Sequence, residues 1–302
     1  MDAPTQRFPK LNTKKIIKFV VIFCVALIFT ELVAVYCFVA KAMGDFDFLS
    51  RAVLHPRSVA KEAYEIEPVA GIRKNSFFIP CSDGSKMHAW YFKKPDSDML
   101  LIANHGAGGN IITRTYIAQS AAKSNYSTLL YDYRGYAWST GKCNLDSILD
   151  DGLTVYDYAR RELGYSPDKI VECGESIGTA VACQTAASRP CAGLIMLSGL
   201  TQLPTPVRHI FPIFSIFPDM FYAKNRIDNI ATIKGIHVPV LFVHGKKDEQ
   251  VPYQCSQQMY AVAPEPKKLV LLPNSAHDDV GRKDADQFQE AITSFLSLCR
   301  KQ

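Results

Sequence analysis

Six short apolar runs separated by stretches of helical periodicity constrain this chain more than any other feature. They lie at residues 99–103, 127–131, 169–173, 193–197, 239–244 and 268–272. Near-continuous apolarity predicts strands covered on both faces, as in a parallel sheet. The segments between them carry single apolar stripes. Leu145, Ile148, Leu149, Leu153, Tyr156, Ala159 and Leu163 recur at spacings of three and four, as do Phe288, Ala291, Ile292, Phe295, Leu296 and Cys299. Strand and helix in alternation predict an α/β fold: a doubly wound, mostly parallel sheet with right-handed crossovers. Ahead of these runs, residues 76–80 and 86–92 flank Ser82-Asp83-Gly84 and read as an antiparallel hairpin.

The N-terminus is different in kind. Of the formal charge of +5, residues 1–18 hold +4, with Arg7, Lys10, Lys14, Lys15 and Lys18 against Asp2. The remainder is nearly neutral, which argues against a nucleic-acid surface. Residues 19–40 follow with one charge, Glu31. As a helix they would extend ~33 Å, enough for a bilayer core. Ala40-Lys41-Ala42 has the shape of a signal-peptidase site, but a signal-peptide apolar region usually runs only ~7–15 residues. An uncleaved anchor is therefore the expectation. Glu31 costs roughly 3 kcal/mol at mid-span, which the apolar residues around it offset. It reads either as a tolerated carboxyl or as a contact to another membrane helix. Basic residues before the span predict a cytoplasmic N-terminus, with the body across the membrane.

The expected organisation is a basic tail (1–18), a transmembrane anchor (19–40), a juxtamembrane segment (41–75) and one α/β domain (76–302). About 250 residues suit a single large domain. One segment, 200–229, interrupts the alternation with Phe211-Pro212-Ile213-Phe214-Ser215-Ile216-Phe217-Pro218. It reads either as a loop and helix packed on the core or as a small cap, lining an acyl pocket or touching the bilayer. The nine cysteines include no CxxC pair and no zinc spacing. Their scattered placement argues against a disulfide scaffold and permits one or two bridges.

The chemistry-bearing residues fall at the ends of the runs. Gly174-Glu175-Ser176-Ile177-Gly178 sits between a buried run and a helical segment. There a sharp turn exposes the serine hydroxyl above the sheet. A serine needs a general base, and the base needs an orienting carboxylate. Asp248, in the loop after residues 239–244, is the favoured carboxylate, with Glu249 its neighbouring competitor. His277, in the loop after 268–272, is the favoured base. Loops at the C-terminal ends of parallel strands are where such sheets place their ligands. His105 and His244 read as structural. Oxyanion donors are expected from the backbone N–H groups of Ile177 and Ala107, the latter in His105-Gly106-Ala107-Gly108-Gly109-Asn110. That loop is Gly-rich, but no Walker lysine or dinucleotide fingerprint accompanies it.

Over roughly residues 70–300 the chain resembles the α/β-hydrolase superfamily of serine hydrolases. The motifs that carry the resemblance are the loop at 105–110, Tyr131-Asp132-Tyr133-Arg134-Gly135-Tyr136, Gly174–Gly178, His244-Gly245 with Asp248, and His277. The N-terminal anchor and the Asp-Tyr-Arg-Gly-Tyr segment are most similar to the Bem46-like single-pass membrane hydrolases. Members often have Asn where this chain has Ala107. The resemblance implies an esterase or thioesterase, with lipid and acyl-protein substrates among the candidates. Metal or organic cofactors are not expected. Two other readings stay open: a serine peptidase or amidase using the same residues, and a non-catalytic anchored protein that binds a partner.

Overall fold

The computed structural model describes residues 13–44, 50, 53–56, 60, 65, 68–218 and 227–301. The basic tail as far as residue 12, much of the juxtamembrane segment and residues 219–226 of the insert lie outside them. Eight strands form one sheet: β1 (Asn75–Pro80), β2 (Lys86–Phe92), β3 (Leu100–Asn104), β4 (Ser127–Tyr131), β5 (Ile170–Glu175), β6 (Gly193–Leu197), β7 (Val240–Gly245) and β8 (Lys267–Leu272). Their order is β1-β2-β4-β3-β5-β6-β7-β8. β1 and β2 pair antiparallel, as do β2 and β4, and all later pairs are parallel. This is the α/β-hydrolase fold.

The strand interiors show why the runs read as continuous. Leu100 and Ile102 face one core cluster, while Leu101 and Ala103 face another. In such interior strands alternation persists but both faces are dry, whereas β8, at the sheet edge, buries only Leu272 and departs from the expectation of two covered faces. The described helices are α1 (Thr13–Gly44), α2 (Thr115–Lys123), α3 (Leu145–Arg161), α4 (Gly178–Ser188), α5 (Pro204–Ile210), α6 (Asn229–Thr232), α7 (Gln254–Val262) and α8 (Ala285–Cys299). Residues of α3 and α4 pack on one face of the sheet, those of α2 and α8 on the other. The α8 stripe is buried at all six expected positions. In α3, Leu153 is only half-buried, and Val155 lies in the core instead. Gly152 makes the difference: a Cβ there would come within 2.4 Å of Val181 on α4, so the contact face follows the glycine.

Several buried strand positions are polar, and one of them links the middle of the sheet. Glu172 on β5 is fully enclosed, and burial pushes its carboxyl up to about 8, so it is protonated at neutral pH. It meets the Asn104 amide at 3.0 Å, and Asn104 in turn accepts from the Tyr131 hydroxyl. Three adjacent strands are tied by one polar chain.

α1 runs past both ends of the apolar run. Within it, residues 20–42 form an apolar span whose most apolar window has a mean hydropathy of 2.6, and none of that window is buried. Its last turns touch the insert: Tyr36 stacks on Phe217 at 4.6 Å between ring centroids. The insert comprises α5, a 3₁₀ turn at Pro212–Ile216 and α6. Its neck closes where Gln202 bridges Asp228 and the Asn229 amide donates to the Leu200 carbonyl at 2.9 Å. All nine cysteines are free thiols.

Candidate active site

The strand order creates a crevice before any side chain is considered. From β3 the chain crosses to β4 on one side, and from β5 it crosses to β6 on the other. Loops leaving β3 and β5 therefore diverge, and the gap between them is the ligand position of open α/β sheets. Asn104 and Gly174 are paired there. The β3 loop carries Ala107 and the β5 turn carries Ser176.

Ser176 occupies a sharp elbow with φ of +54°, a region that non-glycine residues seldom adopt. Its N–H donates to Leu197 on β6 at 2.9 Å, and its carbonyl accepts from Thr179 N–H and Oγ1 at 3.0 and 2.6 Å. The flanking glycines are needed for proximity, not for torsion. A Cβ on Gly174 would lie 2.3 Å from the Gly178 carbonyl oxygen, and one on Gly178 would lie 2.2 Å from that of Asn104.

The loops after β7 and β8 are fastened together. Lys246 and Lys247 N–H groups donate to Leu272 and Ser275 at 2.8 and 3.0 Å. Gly245 permits the approach, since a Cβ would stand 2.3 Å from the Ser275 carbonyl oxygen. Farther along, the Asp284 carboxylate accepts from the Asn274 N–H, the Asn274 amide and the Ser275 hydroxyl. This braced pair of loops brings His277 onto Asp248 and Ser176. His277 Nδ1 is 2.7 Å from Asp248 Oδ2, and His277 Nε2 is 3.0 Å from Ser176 Oγ. An ionised carboxylate only accepts, so Nδ1 carries the proton and Nε2 is left to accept from the serine hydroxyl. Three residues separated by 72 and 29 positions thus form one chain of hydrogen bonds. Glu249, the competing carboxylate, is exposed.

Asp248 is held on both oxygens. Oδ1 accepts from the Gln250 and Val251 N–H groups at 2.9 and 2.8 Å. Oδ2 accepts from His277 and from a second imidazole, His244, at 3.0 Å. His244 is completely buried and accepts from Ser256 Oγ at 2.7 Å. Burial opposes the charge on Asp248, but the bonds from His244 and His277 outweigh it and hold the carboxyl well below the usual range. For His277, burial disfavours the imidazolium. The Asp248 hydrogen bond and charge, with Glu175 and Asp278 beyond, outweigh burial and raise the pKa.

Ala107 and Ile177, whose N–H groups are the expected oxyanion donors, line the same cavity as Ser176 and His277, a space of about 1010 Å³. No described carbonyl accepts from either. The Ile177 N–H lies at the start of α4. The loop carrying Ala107 is fixed through its carbonyls: Tyr133 donates to His105 at 2.9 Å, His105 Nδ1 to Gly106 at 2.7 Å, and Tyr136 to Ala107 at 3.0 Å. Burial pushes His105 down to about 4, so its ring is neutral and serves as a donor. In a trans peptide the C=O and N–H point opposite ways. Tying the Gly106 carbonyl to the buried imidazole therefore turns the Ala107 N–H outward. His105 is a positioning residue for this loop.

The Asp-Tyr-Arg-Gly-Tyr segment supplies those tyrosines and is itself anchored. Arg134 bonds Asp151 on α3 at 2.5 Å and Asp83 in the β1–β2 turn at 2.8 Å. Gly135 takes φ of +77°, packed within 3.0 Å of the Cys143 N–H at its missing Cβ.

Two residues beside Ser176 were not singled out by sequence reasoning. Arg114 Nε meets Glu175 Oε2 at 2.7 Å, and Tyr116 donates to the same oxygen at 3.2 Å. The arginine and glutamate side chains are only 11% and 4% exposed. The Arg114 guanidinium lies across the β3 loop. A Cβ on Gly109 would fall 2.2 Å from Nη1, and one on Gly106 would fall 3.3 Å from Nη2. Those glycines make room for the arginine. Only Gly108 is open, with nothing within 4 Å of its missing Cβ. The available sequence signal was a glutamate next to the nucleophile, which would be costly to bury unpaired. Among the described residues, no group of three or more His, Cys, Asp or Glu side chains could hold a metal ion.

With this geometry in hand, the likenesses to known proteins become informative. Residues 95–235 match the family model described as serine aminopeptidase, S33. YfhR of Escherichia coli K12 is 27% identical over 296 residues, covering 96% of this chain and 95% of that protein. A Mycobacterium tuberculosis protein is 29% identical over 221 residues, or 72% and 78% of the two chains. Among solved structures, the Pyrococcus furiosus esterase Pf2001 superposes with a TM-score of 0.67 at 18% identity, covering 81% of this chain and 97% of that one. The proline iminopeptidase of Mycobacterium smegmatis gives 0.60 at 14%, covering 75% and 99%. The structural likenesses bear on the fold, and with the family model they support the α/β-hydrolase superfamily and a hydrolase.

Proposed function

We propose that this chain is a membrane-anchored serine hydrolase that cleaves a carboxylic ester or thioester through an acyl-enzyme. Ser176 Oγ attacks the acyl carbon while its proton passes to His277 Nε2. Asp248 holds the imidazole in the required tautomer and stabilises the imidazolium. The negative charge that forms on the carbonyl oxygen is met by the Ala107 and Ile177 N–H groups, each such donor typically worth ~10²–10³ in rate. Collapse expels the alcohol or thiol, which takes the proton from His277. Water, deprotonated by His277, then attacks the Ser176 ester and releases the acid.

The observation that carries the reading is the unbroken hydrogen-bond chain from Ser176 through His277 to Asp248, 3.0 and 2.7 Å long. The fold likeness to a protein described as an esterase agrees with it. Within the superfamily, the Bem46-like single-pass hydrolases are the proposed relatives. α1 is the proposed anchor, with the N-terminus cytoplasmic and the body on the other side.

A second reading, hydrolysis of an amide, is favoured by the serine aminopeptidase description of the family model and by the iminopeptidase likeness. The two separate on p-nitrophenyl esters, acyl thioesters and aminoacyl p-nitroanilides of matched acyl groups. The ester reading expects turnover of the first two, with a burst of leaving group, and none in Ser176→Ala. Anilide turnover matching the esters would establish the amidase instead.

A further inference from the structure

The cavity above Ser176 has an unusual wall. Phe38, Val39 and Ala42, at the end of α1, line it together with Val207, Phe211 and Phe214 of the insert. The two parts also pack on each other outside the cavity. Ala40 and Phe217 are buried in one small cluster with Tyr36 against it, and Phe217 is held within the insert by Arg208, which donates to its carbonyl at 2.7 Å. The insert is thus seated on the last two turns of α1.

The remaining face of the insert is apolar and uncovered. Ile213 and Ile216 are 66% and 57% exposed there, and Ile210 and Phe211, at the rim of the cavity, are 47% and 55% exposed. The insert packs on α1, whose apolar side chains from Val20 to Val35 are exposed on every side. A helix apolar all round is stable in a bilayer, not in water. Its 23-residue span is ~35 Å long, against a hydrocarbon core of ~30 Å. Tyr36 lies six residues inward of Ala42, or ~9 Å at 1.5 Å per residue. Phe217, stacked on Tyr36, therefore reaches the depth of ~5–10 Å at which interfacial segments bury their apolar faces.

We propose that the insert is seated in the phospholipid leaflet and that the acyl substrate enters the site from that leaflet. The mouth is formed jointly by the end of α1 and the insert, so the anchor helix is a wall of the acyl pocket. The substrate class that fits is a long-chain acyl ester or thioester already resident in the membrane. The cavity lies at the upper end of the ~300–1,000 Å³ range of small-molecule sites. The acyl route rests on the serine-hydrolase reading; the seating of the insert does not.

The experiment uses the full chain in phosphatidylcholine vesicles. An Ile213→Trp variant reports depth by fluorescence quenching with lipids brominated along the acyl chain. Quenching well beyond that of the parent is expected; of its two tryptophans, Trp90 is fully buried and Trp138 is half-buried in the body. An unquenched added indole, as when a second copy of the chain covers the face, overturns the seating. In parallel, the double variant Ile213→Asp/Ile216→Asp is assayed on two esters. Neither isoleucine lines the cavity. The expected result is a loss of at least about tenfold in kcat/KM on a hexadecanoyl ester embedded in the vesicles, with hydrolysis of a soluble butyrate ester unchanged. Equal rates with the parent on both esters, or equal loss on both, overturn the leaflet route. A parent that hydrolyses neither ester overturns the hydrolase reading and the acyl route with it, while quenching still decides the seating.

Discussion

Replacing Asp248 by Asn isolates what the carboxylate does, because the structure dictates how the amide must sit. Oδ1 receives two backbone N–H groups, from Gln250 and Val251. The amide oxygen has to keep that place, since an NH₂ there would oppose two donors in a buried pocket. The NH₂ then occupies the Oδ2 position, 2.7 Å from His277 Nδ1 and 3.0 Å from His244 Nε2. Both ring nitrogens must become acceptors. His244 can comply by moving its proton to Nδ1, where the Ser256 hydroxyl rotates to accept it, at the loss of its Nε2 bond to the Val251 carbonyl at 3.0 Å. His277 complies only by placing its proton on Nε2, the atom that has to receive the Ser176 proton. The geometry survives and the base is lost. Such a tautomer trap costs about 10⁴ in kcat in a well-studied serine protease, equivalent to ~5.4 kcal/mol at 1.36 kcal/mol per tenfold. The assay is kcat/KM on a soluble ester, with thermal melting to confirm that the variant folds. A folded Asp248→Asn protein within about tenfold of the parent would refute the assigned proton positions.

Two further outcomes follow from the same geometry. Hydrolysis requires neutral His277, and neighbouring carboxylates favour its charged form. The acid limb of kcat/KM against pH should therefore lie above the ordinary imidazole value of ~6.5. Glu175→Gln removes one of those charges and leaves Arg114 uncompensated, so the limb should move to lower pH; an unmoved or raised limb would contradict it. Gly178→Ala sets a Cβ against backbone at 2.2 Å, an overpacking that costs at least about 1–3 kcal/mol. That should lower Tm by roughly 2–12 °C, whereas Gly108→Ala, with open space around it, should melt with the parent.

The fold was legible because its signals are local. Strands such as β3, β6 and β7 are short, largely apolar runs, and the helices α3 and α8 show their stripes within two turns. The sequence elbow was legible because glycine, serine and glycine fall together at a strand end. Ser176, His277 and Asp248 could be nominated from their places after β5, β8 and β7. What sequence could not show was any pairing across long separations whose members have ordinary roles of their own. His244 reads as a strand-end residue, and nothing local says that its ring supports Asp248. Arg114 lies 61 positions from Glu175, so the ion pair that shapes the β3 loop left only a glutamate beside the nucleophile as its trace. Glu172 was read within an apolar strand because its neighbours are apolar. Its partner Asn104 lies on another strand. The insert was ambiguous for a related reason: its apolar residues obey no single period, since some face the cavity, some face α1 and some face outward.

The account rests on Ser176 being an activated nucleophile, and covalent labelling reads that directly. A fluorophosphonate probe applied to the folded full chain, with the adduct mapped by mass spectrometry, should modify Ser176 at near-stoichiometric yield. Labelling should collapse in His277→Ala. A folded protein that takes up no probe at Ser176, or that labels equally well without the imidazole, would contradict it.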